Sequence, residues 1–230
     1  TYSMNKLTII VTYYNAEEYI TGCLESIKQQ RTQDFNLIIV NDGSTDQSKK
    51  LMDEAIKDYD KNIRFIDLDE NSGHAHARNI ALEEVETPYF MFLDADDELA
   101  SYAITFYLEK FNNTDGLIAP IHSFTTQRPQ FVDLDRVRVE YFNAKENINS
   151  FLRKQSACNI IFRTAIVRAH HIRFNENLNT YVDWSFVLEY MKYVNKFVRI
   201  FNFPFYFRGE VYDPFETLTL SEQNFDILFK

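Results

Sequence analysis

Tyr89-Phe90-Met91-Phe92-Leu93-Asp94-Ala95-Asp96-Asp97 decides the fold: an unbroken apolar run passes straight into an acidic cluster. Apolar residues without alternation read as a strand buried on both faces. The same arrangement recurs upstream. Leu7 to Thr12 leads into Tyr13-Tyr14-Asn15, Phe35 to Val40 into Asn41-Asp42-Gly43-Ser44-Thr45-Asp46, and Ile63 to Leu68 into Asn71-Ser72-Gly73. Helical spacing lies between these strands: Ile20, Cys23, Leu24 and Ile27, then Leu51, Met52, Ala55, Ile56 and Tyr59, then Ala77, Ile80, Ala81 and Val85. Asn15, with Glu18 three residues on, offers an N-cap for the first helix, and Thr87-Pro88 stops the third. Such alternation predicts an α/β chain with a mostly parallel sheet flanked by helices. In open sheets of this kind ligands bind beyond the carboxyl ends of the strands. The polar clusters at Asn15, Asp42 and Asp94 are therefore expected to meet in one cleft.

Residues 101–230 are less regular and read as the second half of the same domain. A helix is expected over Tyr102 to Phe111, a strand over Leu117 to Ile121, and a polar excursion with alternating charges over residues 124–142. A helix near Lys145 to Arg153 then precedes a strand at Asn159 to Phe162. The last clear helix starts near Tyr181, and strands at Val198 to Phe201 and Phe205 to Phe207 complete the sheet. No internal repeat is present.

Composition narrows the function. The chain has 230 residues with 24 Lys+Arg against 34 Asp+Glu, a formal charge of −10. That balance speaks against a fold-wide nucleic-acid footprint, where phosphate contacts dominate affinity. It leaves room for a small phosphate-bearing ligand held by a few cations or a metal. The 21 Phe and 14 Tyr supply a large aromatic core. Cys23 and Cys158 cannot form a disulfide scaffold and read as buried thiols of a reducing, cytoplasmic compartment. No apolar run reaches the roughly 18 residues that a membrane-spanning helix needs. Met4 reads as a native start, and the stop at Lys230, just after a helix-like stretch, reads as the end of an N-terminal fragment.

Asp94 and Asp96, one residue apart at a strand end, can present hard oxygen ligands to Mg²⁺ or Mn²⁺ bridging a diphosphate. Taken alone, they also fit an acidic turn that caps a helix. The chain lacks G-x-G-x-x-G and a P-loop, which removes the usual NAD and ATP readings. Gly73-His74-Ala75-His76 has no closed zinc-site spacing and reads as a loop and helix start.

Taken together, Ile10-Val11-Thr12-Tyr13-Tyr14-Asn15, Val40-Asn41-Asp42-Gly43-Ser44-Thr45-Asp46, Asn71-Ser72-Gly73 with Arg78-Asn79, and Phe92-Leu93-Asp94-Ala95-Asp96-Asp97 closely resemble the family 2 inverting glycosyltransferases with the GT-A fold. The resemblance is strongest over residues 7–100 and continues more weakly to about residue 210, through Ile161-Phe162-Arg163-Thr164 and Tyr181-Val182-Asp183-Trp184. Its closest flavour is the wall teichoic acid glycosyltransferase group of Gram-positive bacteria. It implies a nucleotide-sugar-binding half at 1–100 and an acceptor-side half at 101–230. It also implies a UDP-sugar donor, Mn²⁺ or Mg²⁺, and a glycopolymer or lipid-linked acceptor. The chain would then work in the cytoplasm, at the inner face of the plasma membrane if a further C-terminal region attaches it there.

Carried over residue by residue, the resemblance places Thr12, Tyr14 and Asp42 around uracil and ribose, with Asn15 and Ala95 in the same nucleotide-sugar-binding set. Asp42 would accept the uracil imide N–H. Asn71 and Arg78 match the third nucleotide segment, Arg78 offering a cation to base or diphosphate. Asp94 would contact ribose, Asp96 would bind the metal, and Asp183 would be the general base. The chain departs from the family at Val182, where an acid is common. It also has no His after Phe207-Arg208-Gly209-Glu210, where relatives often place a metal ligand; only Asp213, Glu216 and Thr217 follow, and Arg208 would add positive charge beside the phosphates. These departures keep a second reading in play, a non-catalytic GT-A docking or regulatory module of a larger polymer-synthesising protein. A nucleotidyltransferase would instead show a Gly-rich phosphate loop, which Tyr13-Tyr14-Asn15 is not.

Overall fold

The computed structural model describes residues 5–59, 61–124, 132–146 and 156–209. Strands β1 (Leu7–Tyr13), β2 (Asn36–Asn41), β3 (Ile63–Asp67) and β4 (Tyr89–Asp94) alternate with helices α1 (Ile20–Lys28), α2 (Ser48–Ile56) and α3 (His74–Glu83). They form a parallel block in the order β3-β2-β1-β4, with β1 between β2 and β4. Ile9, Ile10, Val11, Val40 and Phe90 are fully buried, as continuous apolar strands covered on both faces require.

The short strand β5 (Glu98–Leu99) and helix α4 (Ala103–Lys110) follow the acidic turn. The sheet then continues through β6 (Gly116–Ile118), β8 (Val139–Asn143), β9 (Ile160–Arg163) and β10 (Lys196–Ile200), in the spatial order β4-β9-β6-β10-β8. Here β9 is antiparallel to both β4 and β6, β10 is parallel to β6, and β8 is antiparallel to β10. Helices α5 (Thr164–Ala169) and α6 (Val182–Met191) complete the described fold. A second sheet of three strands holds β7 (Ile121–Ser123), β11 (Tyr206–Arg208) and β5, ordered β5-β11-β7.

The structure corrects several local expectations. Asn15 caps no helix: α1 starts at Ile20, after a turn in which the Ala16 carbonyl accepts from Tyr19 and Ile20 at 3.0 and 2.9 Å. The expected strand over Leu117 to Ile121 splits at Ala119-Pro120, where Pro120 has no N–H to give a ladder and the Ala119 amide turns to the Asn159 carbonyl (2.9 Å). Its second piece, with Tyr206–Arg208, joins the small sheet instead of completing the large one. The polar excursion contains an edge strand, β8, whose one charged residue, Glu140, is exposed. Helix α5 was not anticipated. Of the helix expected over Lys145 to Arg153, residues 147–153 lie outside the described residues, as do Asp213, Glu216 and Thr217.

Aromatic rings weld the two halves. Phe162 of β9 stacks on Phe90 of β4 with ring centres 5.4 Å apart and meets Tyr190 of α6 edge-on at 4.9 Å. Phe174 stacks on Phe186 at 4.1 Å, and Phe92 meets Phe174 at 5.3 Å. Such ring pairs add about 0.5–1.5 kcal/mol each beyond the area they bury. Among the described residues, no helix is long and apolar enough to cross a membrane.

Candidate active site

The registers bring the motifs to one edge. Thr12 stands opposite both Val40 and Asp94, and Tyr13 opposite Asn41, so the loops after β1, β2 and β4 leave the sheet side by side. Asn15 adopts a left-handed φ of 47°, a conformation Asn tolerates better than most residues. Its side-chain oxygen accepts from the Thr45 amide at 2.8 Å and the Asp46 amide at 3.3 Å. Asn15 therefore fastens the first loop to the second. Tyr14 beside it is 46% exposed. Thr12 is half-buried.

Asp42 is buried, and its two oxygens accept from the Ser72 and Gly73 amides at 2.8 and 2.9 Å. The carboxylate thus shapes the Asn71-Ser72-Gly73 loop, and each oxygen keeps a second lone pair for another donor. Gly43, at φ 67°, permits this approach, since a Cβ there would lie 2.4 Å from the Glu70 carbonyl carbon. Asn71 is exposed in that loop.

The acidic turn divides its carboxylates. Asp97 is buried, accepting from the Tyr206 hydroxyl and, at 2.9 Å, from the Gly209 amide. Burial, with Asp94 adding repulsion, pushes its carboxyl up to about 7. The Tyr206 hydroxyl also accepts from the Asp94 amide at 3.3 Å, which pins β11 to the turn. Gly209 passes so close that a Cβ would sit 2.5 Å from the Asp96 carbonyl oxygen. Burial and Asp94 raise the Asp96 carboxyl above the usual carboxylate range, while Arg208 draws it back. Ala95 between them is buried. Ligand atoms of Asp94, Asp96 and Asp97 lie within 4.8 Å of one another. With Asp97 tied to β11 and Asp94 engaged below, Asp96 is the carboxylate best placed to receive a cation, which would also relieve the repulsion. The histidines do not add to this cluster: His76 faces Glu176 at 3.1 Å.

Arg78 was expected to offer its charge to the nucleotide, but its side chain is only 4% exposed. Its guanidinium sits 5.2 Å from the ring centres of both Phe92 and Phe174. It donates to Asp94 at 2.7 Å and to Asp183. Asp183 lies in the first turn of α6, whose N-cap is Tyr181, so it is not the cap. Its other oxygen accepts from the Ala157 amide at 3.0 Å and the Ser156 hydroxyl at 3.3 Å. Burial works to raise the Asp183 carboxyl, but Arg78 and the Ala157 amide outweigh it and hold the group below its ordinary value. Sequence reading missed Cys158, whose thiol donates to Asp94 at 3.0 Å. It also missed Tyr206 and Ser156. None of the three stands in a recognisable pattern, and each reaches the site only through folding.

A mainly parallel sheet with an acidic turn at a strand end defines an α/β domain, and comparison with known proteins gives the family. The model for glycosyl transferase family 2 matches residues 8–173. The chain belongs to that family. It is 29% identical over 196 residues to an uncharacterized glycosyltransferase of Haemophilus influenzae, covering 84% of this chain and 75% of that one. It is 28% identical over 201 residues to the poly(ribitol-phosphate) β-N-acetylglucosaminyltransferase TarS of Staphylococcus aureus, covering 81% of this chain but only 32% of TarS. The crystal structure of S. aureus TarS 1–349 with UDP-GlcNAc superposes with a TM-score of 0.76 at 23% identity, over 97% of this chain and 64% of that one. A mannosyltransferase from Pyrobaculum calidifontis, solved with GDP-Man and Mn²⁺, gives 0.64 at 15% identity, over 89% and 56%. The fold is GT-A.

Proposed function

We propose that the chain transfers a sugar, with inversion, from a UDP-sugar to a hydroxyl of a cell-wall or surface glycopolymer, assisted by Mn²⁺ or Mg²⁺. The observation that carries this reading is the convergence of Asp42, Asp94, Asp96 and Asp183 on the carboxyl edge of the sheet, with Asp94 and Asp183 held by one buried arginine. UDP-GlcNAc in TarS supports the uridine donor, and Mn²⁺ in the mannosyltransferase supports the cation.

In this reading Thr12, Tyr14, Asn15, Asp42 and Asn71 surround the nucleoside, Asp94 and Ala95 border the ribose and sugar, and Arg208 lies toward the diphosphate. Asp96 would hold the cation, which supplies positive charge against the charge growing on the departing diphosphate. The acceptor oxygen forms its bond to the anomeric carbon as the bond to phosphate breaks on the opposite face, and the hydroxyl proton passes to Asp183. A carboxylate held below its ordinary pKa is too weak to deprotonate an alcohol beforehand, so proton transfer accompanies bond formation. The domain would work at the cytoplasmic face of the membrane, where a growing surface polymer is accessible.

The test is a panel of UDP-, GDP- and ADP-sugars, assayed for binding and for transfer to polyol-phosphate and lipid-linked acceptors. Transfer from one UDP-sugar with inverted anomeric configuration is expected. Absence of nucleotide-sugar binding across the panel would overturn the reading in favour of the docking module.

A further inference from the structure

We infer that Arg78 is a positioning residue that locks Asp94 and Asp183 into one rigid unit, with Cys158 as its second clamp, and that it does not bind the donor. This rests on the transfer reading for its kinetic consequences, though the geometry stands apart from it. The guanidinium is sealed: 4% exposed, against 34% for the Asp94 side chain and 26% for that of Asp183. It therefore lies behind the two carboxylates as seen from solvent. Its two terminal nitrogens each take one carboxylate, and the planar fork, packed against two adjoining aromatic rings, fixes the angle at which they diverge.

The remaining oxygens are held from one short segment. Asp94 Oδ2 accepts from the Cys158 thiol, and Asp183 Oδ2 accepts from Ser156 and Ala157. Arg78 also reaches Cys158 Sγ at 3.5 Å. Burial pushes the Cys158 thiol up, so it remains a protonated donor. A donor-side aspartate on β4 and an acceptor-side aspartate on α6, 89 residues apart by their numbers, are thus braced against each other. One cation shared by two carboxylates leaves the pair with a net negative charge, suited to a site that also recruits a divalent ion. The charged and titratable groups facing Asp183 are Arg78 and His74 from α3, Asp94 from the end of β4, and Cys158 from the 156–158 segment.

The experiment compares wild type with R78K and C158A, each first checked for folding by circular dichroism and thermal melting. Lysine keeps the charge but cannot bridge both carboxylates as a fork. R78K is expected to bind UDP within about threefold of wild type by calorimetry, consistent with a guanidinium that touches no donor. Its kcat is expected to fall at least tenfold, with the acid limb of the pH profile moved upward. C158A removes the donor to Asp94 Oδ2 and is expected to lower kcat about threefold to tenfold, the scale of one lost hydrogen bond, whereas an unchanged kcat would remove Cys158 from the clamp. The carboxyl carbon of Asp183, followed by NMR titration, supplies an arm that needs no substrate: its titration is expected to move to higher pH in R78K. If R78K instead loses UDP affinity tenfold with kcat and the Asp183 titration unchanged, Arg78 is a donor ligand and the inference fails. If no UDP-sugar is turned over by wild type yet the titration moves as expected, the transfer reading fails while the positioning role stands.

Discussion

In the block β3-β2-β1-β4 the strands run five to seven residues, all parallel. In the rest of that sheet, β9-β6-β10-β8, they shorten to three to five residues and change direction repeatedly. The first region builds its part of the cleft by repetition: each strand delivers a loop to the same edge, and the loops hold one another through Asn15 and Asp42. The second delivers single side chains from scattered elements, Asp183 from α6, Cys158 from a short turn and Tyr206 from β11. On the proposed transfer reading, the repeated scaffold would serve the constant nucleotide, and the irregular segments, which can differ without disturbing it, would match the variable acceptor.

The sharpest break of that comparison is Phe162→Ala. The ring is fully buried where β9 meets β4, and its loss is expected to cost about 3–5 kcal/mol. If the halves are one cooperative unit, urea unfolding shows a single transition at lower denaturant. A second transition, with the first half unmoved, would show that the halves are independent.

Next in size is Asp42→Ala, which tests the repeated scaffold as a uridine pocket. UDP binding is expected to weaken by about 1.5–3 kcal/mol, the scale of a hydrogen bond to a charged group. Calorimetry that finds equal UDP and GDP affinity in the unmodified protein would refute the pocket. Asp96→Ala has the smallest expected effect, since the fold does not lean on its carboxylate: UDP should still bind, but Mn²⁺ should no longer strengthen it. UDP binding in wild type that EDTA leaves unchanged would contradict metal assistance.

What the sequence disclosed follows the same line. Asp42 and Asp94 are legible because each closes its own strand, so a local pattern marks both the element and the residue. Asn15 was legible as a site residue but misread as a cap, since its positive φ and its bonds to the Thr45 loop depend on strand pairing. The buried partnership of Arg78 with Asp183 spans 105 positions, and no periodicity carries that information. The split at Ala119-Pro120 was marked by the proline, but not the destination of Ile121 in a second sheet. Aromatic abundance foretold a large core, but not that two of its rings would pack against a guanidinium.

Asp183→Asn tests most directly whether the irregular half performs the chemistry. The amide keeps the size of the side chain, but it would turn a donor toward either Arg78 or the Ala157 amide, at a cost of about 1–3 kcal/mol in stability. Folding is therefore monitored in the same samples. With the best UDP-sugar and acceptor, the variant is expected to bind donor as wild type does while turnover falls about 10²–10⁴-fold, the scale of a lost general base. A folded variant with full turnover would contradict the assignment of Asp183 as the base.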